Sequence, residues 1–465
     1  MQSTVQAGAR LDRLPISRFH HRILWLIGGG MFLDSFDIYL AGGVLGALVK
    51  SGWSTMHLNA TFLSSTFVGM LLGAFTAGVL GDAKGRKFTY QFNLAIFGIA
   101  SLAGALAPSM NWLIVCRFFM GLGLGAEIVV GYGSIGEFIP PAVRGRWSAY
   151  LSLITNSALF CSTFLGYLLI PSIGWRAMFA IVGAGALVIW VLRRKMPESP
   201  RWLESKGRFE EAEKILAAAE AESARGQPLP LLVDTPRAAV YKTTLLDLFA
   251  RHHLRRTLLS ICVQIAINVV IYGFIVWVPT FLMKQGLGVA SSLGFTTLMA
   301  LGGPAGALLG VLIADKVGRR RGLVCVAAIA AVIGWLYGHS TSVGMATFLG
   351  FVLFTLTYLM VALGIATYIP ELFATENRMR ANGIAGCAGR ITGIVAPQLV
   401  VVAYATGGIQ DVLSIIVGTL VAMAVVLAVF GIETNQLSLE AIASTPGEAP
   451  VRSPAKQRVP TEQNH

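Results

Sequence analysis

Gly28-Gly29-Gly30-Met31-Phe32-Leu33-Asp34-Ser35-Phe36-Asp37-Ile38-Tyr39 lies inside an apolar run that extends from about Ile23 to Val49. At about 1.5 Å rise per residue, such a run is long enough to cross a hydrocarbon core of about 30 Å, so it reads as a membrane-spanning helix. Two carboxylates sit near its middle. A charge at that depth costs at least about 2.5 kcal/mol, so both must face a protein interior or a watery cavity rather than lipid. Three residues apart, they share one face of the helix.

The rest of the chain supplies that interior. Of its 465 residues, 55% are hydrophobic and only 13% charged, which excludes a soluble globular protein and indicates a polytopic membrane protein. Apolar runs of spanning length fall at 23–49, 59–80, 88–107, 112–136, 148–170, 175–193, 257–282, 291–314, 322–339, 344–369, 382–404 and 409–432. The expected fold is therefore all-α, with twelve transmembrane helices.

A net charge of +13 would point to a nucleic-acid partner in a soluble protein. Here the charges follow the loops. Lys84, Arg86 and Lys87 come after span 2, Arg144 and Arg146 after span 4, and Arg193, Arg194 and Lys195 after span 6. Lys316 and Arg319 to Arg321 follow span 8, and Arg378 and Arg380 follow span 10. The intervening loops hold only Lys50, Arg176 and Lys284. Positive loops remain in the cytoplasm, so both termini are expected inside, with no nucleic-acid partner. The five cysteines all fall within spans and imply no disulfide framework. Residues 1–22 are polar and basic, with no small-residue cleavage site after the apolar run, so span 1 is read as a retained helix behind a cytoplasmic tail.

A charged segment, 195–256, separates six spans from six. Around Arg208 to Leu216 it has helical apolar spacing with carboxylates four residues before bases, the pattern of a short amphipathic helix. Pro228, Pro230 and Pro236 then break the chain into a linker. The flanking halves repeat. Gly81-Asp82-Ala83-Lys84-Gly85-Arg86-Lys87 is echoed by Ala314-Asp315-Lys316-Val317-Gly318-Arg319-Arg320, with the aspartates 233 residues apart. Glu137 and Arg144 are echoed by Glu371 and Arg378, with the glutamates 234 residues apart. The domains are thus an N-terminal bundle over 23–194 and a pseudo-symmetric C-terminal bundle over 257–432, a duplication used by alternating-access carriers. Residues 433–465 are rich in Pro, Ser and Glu and read as a disordered cytoplasmic tail.

These repeated motifs resemble the major facilitator superfamily over almost the whole chain. Arg117-Phe118-Phe119-Met120-Gly121-Leu122-Gly123-Leu124-Gly125 is similar to its span 4 motif, and Pro197-Glu198-Ser199-Pro200-Arg201-Trp202-Leu203 to the signature after span 6 in sugar porters. Asp34-Ser35-Phe36-Asp37 resembles the paired aspartates of proton symporters of aromatic acids and small metabolites, niacin transporters included; Glu371 to Gly383 fits the same group. Ile267-Asn268-Val269-Val270-Ile271-Tyr272 is similar to span 7 of sugar porters, but the paired glutamines expected upstream are reduced to a displaced Gln264. The resemblance implies a bacterial-type inner-membrane carrier powered by the proton gradient without a bound cofactor. Its partners would be a small-molecule substrate, protons and the lipid bilayer, and it would act as a monomer.

Depth assigns candidate roles. Asp37 lies about 21 Å along span 1, which leaves it about 9 Å from the far boundary, and Arg117 enters about 7 to 8 Å from the same boundary on span 4. A guanidinium opposite a carboxylate favours its ionised form, and separating the two away from water favours protonation. In related sugar porters a span 1 aspartate and a span 4 arginine are thought to act as this switch, which makes Asp37 and Arg117 the coupling pair; the alternative is a static ion pair joining two helices. Asp34 either shares the proton, contacts substrate or is capped locally by Ser35.

Glu127 and Arg390 both sit in the cytoplasmic half of the membrane. Either they pair across the halves as an inner gate, or they contact substrate, with Arg390 offering a two-pronged donor to a carboxylate. Gln264, Asn268 and Tyr272, four residues apart, form a polar and aromatic face on span 7 suited to orienting a small ligand, or simply to bonding neighbouring helices. Tyr368 and Asn156 are further candidates of this kind. By the resemblance, Asp82, Arg86, Glu137 and Arg144 in the first half, and Asp315, Arg319, Glu371, Arg378 and Arg380 in the second, form the cytoplasmic gate networks. No metal-ligand spacing, nucleotide loop or soluble domain is present to support an enzyme, and Gly121 to Gly125 read as close helix packing.

The expected function is proton-coupled uptake of a small organic anion such as a hydroxybenzoate or nicotinate. A sugar or polyol symporter, a drug efflux antiporter and a non-transporting sensor are the alternatives.

Overall fold

The computed structural model describes residues 5–224, 228–232, 246–313, 317–373 and 375–434. The side chains of Asp82, Arg144 and Arg378, and the whole of Asp315, lie outside the described residues.

Twelve spans are formed by long helices, as their apolar runs require. Spans 1 to 6 are Arg18–Lys50, Met56–Lys84, Arg86–Ala105, Met110–Phe138, Pro141–Leu169 and Arg176–Arg193. Span 7 is Arg251–Gly273 continued through Ile275–Trp277 to Val278–Lys284, and span 8 is Val289–Ala300 with Gly302–Ile313. Span 9 is Arg319–Gly338. Span 10 is Val343–Met360, which widens into a π-helical stretch at Val361–Tyr368 and ends at Ile369–Glu371. Thr375–Phe430 is broken at Gly407 and Gly408, where φ of 68° at Gly408 turns the chain back, so spans 11 and 12 are residues 375–406 and 409–430. Among the described residues there are no strands. The molecule is an all-α membrane protein of two pseudo-symmetric six-helix bundles.

Small residues set the closest helix crossings. A Cβ at Gly121 would lie 2.2 Å from the Thr66 carbonyl oxygen and one at Gly125 would lie 2.0 Å from that of Met70, so spans 2 and 4 meet backbone to backbone. The glycines of the span 4 motif are packing residues.

The repeated charged loops, the N-terminal helix and the linker helices gather at one end of the bundle, called here the charged end. Pro200–Ser205 and Phe209–Ala224 occupy the linker, with Ala212, Leu216 and Ala219 buried. Glu198, from the motif after span 6, accepts the backbone N–H of Arg86 at 2.9 Å and so caps span 3, which has no carboxylate of its own in its first turn. Residues 5–17 are more than a tail. Ala7–Asp12 is helical, its Ala7 and Leu11 are buried, and it docks on the linker through Arg10 and Arg13 to Glu220, both at 2.7 Å, and Asp12 to Arg201 at 2.6 Å.

The described contacts between the halves lie from the bundle's middle to its far end. Tyr358 donates to the Tyr39 hydroxyl, Gln398 donates to Ser64 at 3.2 Å, and the Phe67 and Tyr272 rings meet edge to face at 4.4 Å. A narrow crevice at this junction is lined by Tyr39, Ser162, Thr163, Thr296 and Phe354 among others, and no charged residue contributes to it.

Candidate functional site

Among the described residues, six charged side chains sit deep in the spans, and they divide into three arrangements. In the first, span 1 carries Asp37 past span 4, where Arg117 wraps it: one guanidinium nitrogen donates to a carboxylate oxygen and another to the Asp37 backbone carbonyl at 3.0 Å. Arg117 Nε donates to Thr66 of span 2 at 2.9 Å, and the guanidinium carbon lies 4.9 Å from the centre of the Phe62 ring. Both side chains are buried, and Asp37 Oδ1 has no hydrogen-bond partner. The two residues matched by depth in the sequence are in contact, and one carboxylate oxygen has room for a proton.

The second arrangement departs from one of the alternatives open to Glu127 and Arg390, a pairing across the halves. Glu127 instead binds Arg193, the last residue of the span 6 helix, within the N-terminal half. Arg193 was counted among the loop charges. Its side chain is only 1% exposed, because it turns inward and donates to the Leu26 and Ile27 carbonyls of span 1 at 2.8 and 3.2 Å, with its guanidinium over the Tyr90 ring. Gly30 makes this possible: a Cβ there would lie 2.0 Å from Arg193 Nη2 and 2.4 Å from Glu127 Oε1. Depth put Glu127 and Arg390 in the same half of the membrane but carries no information on which way each helix faces. Asp34 belongs to this group, since Glu127, Arg193 and Asp37 are the charges that act on it.

The third arrangement lies in the other half. Arg390 of span 11 is mostly buried, and its Nε has no hydrogen-bond partner. A Cβ on the adjacent Gly389 would lie 2.6 Å from Gln264 Nε2 and 3.1 Å from Asn268 Nδ2, so span 11 crosses span 7 at these amides. Asn268 donates to the Gln264 carbonyl at 2.6 Å. Tyr272 is the next group along that face and lies within electrostatic reach of Arg390. The face expected on span 7 thus meets span 11 at Gly389, one residue before Arg390. Tyr368 and Asn156 are employed locally: the Tyr368 hydroxyl accepts Ile432 N–H at 3.1 Å, and Asn156 donates to Ser152 at 3.2 Å.

At the charged end the repeat is visible in side chains. Arg86 Nε meets Glu137 at 3.2 Å, and Arg319 Nε meets Glu371 at 3.2 Å, with Thr434 donating to Glu371 at 2.6 Å. Arg201 also donates to the Glu137 carbonyl at 3.0 Å, which ties the motif after span 6 into the first network. Arg380 has interactions of its own at the start of span 11.

The chain matches the sequence profile of the family described as "Sugar (and other) transporter" over residues 26–445. It is 39% identical to the inner membrane metabolite transport protein YdjE of Escherichia coli K12 over 95% of this chain and 99% of the relative. To the niacin transporter NiaP of Acinetobacter baylyi it is 31% identical over 93% of this chain and 99% of that protein. A partially occluded, inward-open structure of the xylose transporter XylE from Escherichia coli superposes with a TM-score of 0.72 at 18% identity, covering 91% of this chain and 100% of that one. The protein is an inner-membrane secondary transporter of a small molecule, not an enzyme, and it belongs to the sugar (and other) transporter family of the major facilitator superfamily.

Proposed function

We propose that the protein is a proton-coupled symporter that takes up a small organic anion, an aromatic monocarboxylate such as a hydroxybenzoate or nicotinate, by alternating access between its halves. The observation that carries this reading is Arg390. Of the three deep arginines, Arg117 and Arg193 are each bound to a carboxylate, whereas Arg390 keeps a buried Nε without a partner. A guanidinium maintained in the membrane interior without a carboxylate of its own suits one that arrives with the substrate, and its fork matches a carboxylate in two places. Tyr272 supplies an aromatic surface beside it, and Gln264 and Asn268 supply amides for a ring substituent. Relatedness to a niacin transporter supports the same class, since niacin is an aromatic monocarboxylate.

Asp37 carries the proton and Arg117 controls it. While paired, the carboxylate stays ionised; when the halves rock and the pair parts away from water, the carboxyl is favoured in its neutral form. The gate networks of Arg86 with Glu137 and of Arg319 with Glu371 brace the charged end, which faces the cytoplasm together with both termini. The chain works as a monomer on the proton gradient, with no bound cofactor.

The span 7 amides favour a second reading, a sugar or polyol symporter, because neutral hydroxyls are recognised by such groups and the fold is that of a xylose transporter. Uptake of labelled nicotinate, benzoate and xylose into de-energised vesicles, with and without an imposed proton gradient, separates the two. Gradient-driven accumulation of an acid but not xylose is expected; accumulation of xylose alone would overturn the anion reading. In Asp37→Asn, accumulation is lost while exchange of labelled for unlabelled substrate survives. A variant that still concentrates substrate would remove Asp37 from the proton path.

A further inference from the structure

The six deep charges do not balance within the N-terminal half. Asp37 with Arg117 and Glu127 with Arg193 are two neutral pairs, which leaves Asp34 as a third carboxyl among two arginines already engaged. Asp34 is 2% exposed, and each member of its group keeps one buried atom without a partner: Asp34 Oδ2, Glu127 Oε2 and Arg193 Nη1. Span 1 packs against spans 2, 4, 5 and 6, the far ends of spans 7 and 8, and the linker helix. The charged groups these elements and span 1 itself bring to Asp34 are Glu127, Arg193 and Asp37; the linker's Glu222 pairs with Arg22, three turns away. Asp34 is thus a second carboxyl within electrostatic reach of a guanidinium already bound to Glu127, in a water-poor space. Such a group holds one net negative charge or binds one proton, and an uncompensated charge there costs several kcal/mol.

The C-terminal half carries the opposite surplus, the charge of Arg390. We propose that Asp34, Glu127 and Arg193 form a proton-binding site separate from the Asp37–Arg117 pair, and that its occupancy balances the charge on Arg390. Without substrate, the ionised trio and Arg390 sum to zero. With a substrate carboxylate on Arg390, a proton on the trio restores zero. Proton alone leaves one positive charge inside, and anion alone leaves one negative charge. With the Asp37–Arg117 pair ionised, only the empty and doubly loaded carriers then present a neutral interior as the rocking step begins, and coupling follows from charge count without contact between the two sites. This rests on the assignment of Arg390 to an anionic substrate.

The test uses the full chain reconstituted in bilayers, with Asp37 left paired to Arg117 so that the pair adds nothing to the count. Nicotinate or benzoate binding, followed by calorimetry in buffers of different ionisation enthalpy, is expected to take up about one proton per anion bound, and close to none in Asp34→Asn. Equal uptake by the two proteins would overturn the proposal. A ligand-free arm follows the infrared carbonyl stretch of protonated carboxyls as pH is lowered. A titrating band is expected in the unaltered chain and absent from Asp34→Asn; its persistence overturns the site. Should Asp34→Asn not fold, Arg193→Gln is expected to add a second protonated carboxyl to the spectrum, and an unchanged band counts against the trio. If neither acid binds, the reading of Arg390 and the charge balance fail together, and the ligand-free band still decides whether the trio binds a proton.

Discussion

In the N-terminal half, Arg117 and Arg193 each end on a buried carboxylate and a span 1 carbonyl, while in the C-terminal half Arg390 lies within electrostatic reach of Tyr272 with its Nε unbonded. Yet the loops that follow spans 2, 4, 8 and 10 still match in side-chain geometry, Arg86 on Glu137 and Arg319 on Glu371, both at 3.2 Å. A duplication has kept its periphery alike and let its interior diverge. On the reading proposed above, the contrast is a division of labour: the N-terminal half holds paired, titratable charges, and the C-terminal half presents Arg390 to the substrate.

The strongest way to break this comparison is to unpair a charge. Removing one partner of a buried ion pair leaves the other uncompensated and typically costs about 3–5 kcal/mol. Glu127→Gln or Arg193→Met alone should therefore lower the thermal unfolding midpoint in detergent strongly, while the double replacement recovers most of the loss. Gly30→Ala should reproduce part of it, about 1–3 kcal/mol, because its new methyl group would occupy the space of the Arg193 guanidinium. Arg390→Met, which removes a cation with no carboxylate partner, should leave the midpoint unchanged or raised. Equal losses at Arg193 and Arg390 would erase the distinction between the halves.

Next in size is an effect on binding alone. Arg390→Lys keeps the charge but loses the fork, and a weakening of nicotinate or benzoate binding by about tenfold, or about 1.4 kcal/mol, is expected with little change in stability. Equilibrium binding to purified protein checks this. Unchanged affinity for every acid tried would move Arg390 from substrate contact to the gate.

Much of this architecture is legible in the sequence because membranes impose strong rules. Apolar length gives the twelve spans, and two charged motifs at nearly one offset give the duplication. Depth arithmetic brought Asp37 and Arg117 to one level, and they touch. Depth could not choose between the arrangements open to Glu127 and Arg390, since rise along a helix says nothing of its rotation about its axis. Arg193 was hidden by its neighbours: beside Arg194 and Lys195 it reads as one of three loop cations, and only the absence of a Cβ at Gly30 lets it turn inward. A clue was present in that triple glycine, which offers bare backbone within one turn of Asp34. The docking of residues 7–12 was equally hidden, because a six-residue helix has no periodicity long enough to read.

The smallest expected effect concerns that helix, a contact the structure describes only for the N-terminal half. Arg10 grips both oxygens of Glu220, at 3.0 and 2.7 Å, and Arg13 adds a third bond at 2.7 Å. These bonds, the Arg10 bond first, hold the Glu220 carboxyl below its usual value of 4.5. A carboxyl whose folded-state value is depressed stabilises the folded form above its unfolded value and loses that contribution as pH falls through the folded one. The clasp should accordingly be intact at neutral pH and weaken below about pH 4.5, where protonation begins to compete with the two arginines. Glu220→Gln should loosen it at neutral pH, seen as faster hydrogen exchange at the Arg10 and Leu11 amides, while spans 1 and 6 keep their protection. Because the clasp is partly solvated, the change should be worth about 1 kcal/mol or less. If exchange at those amides is the same in both proteins, the buried Ala7 and Leu11 hold the helix by themselves, and the arginines only orient it.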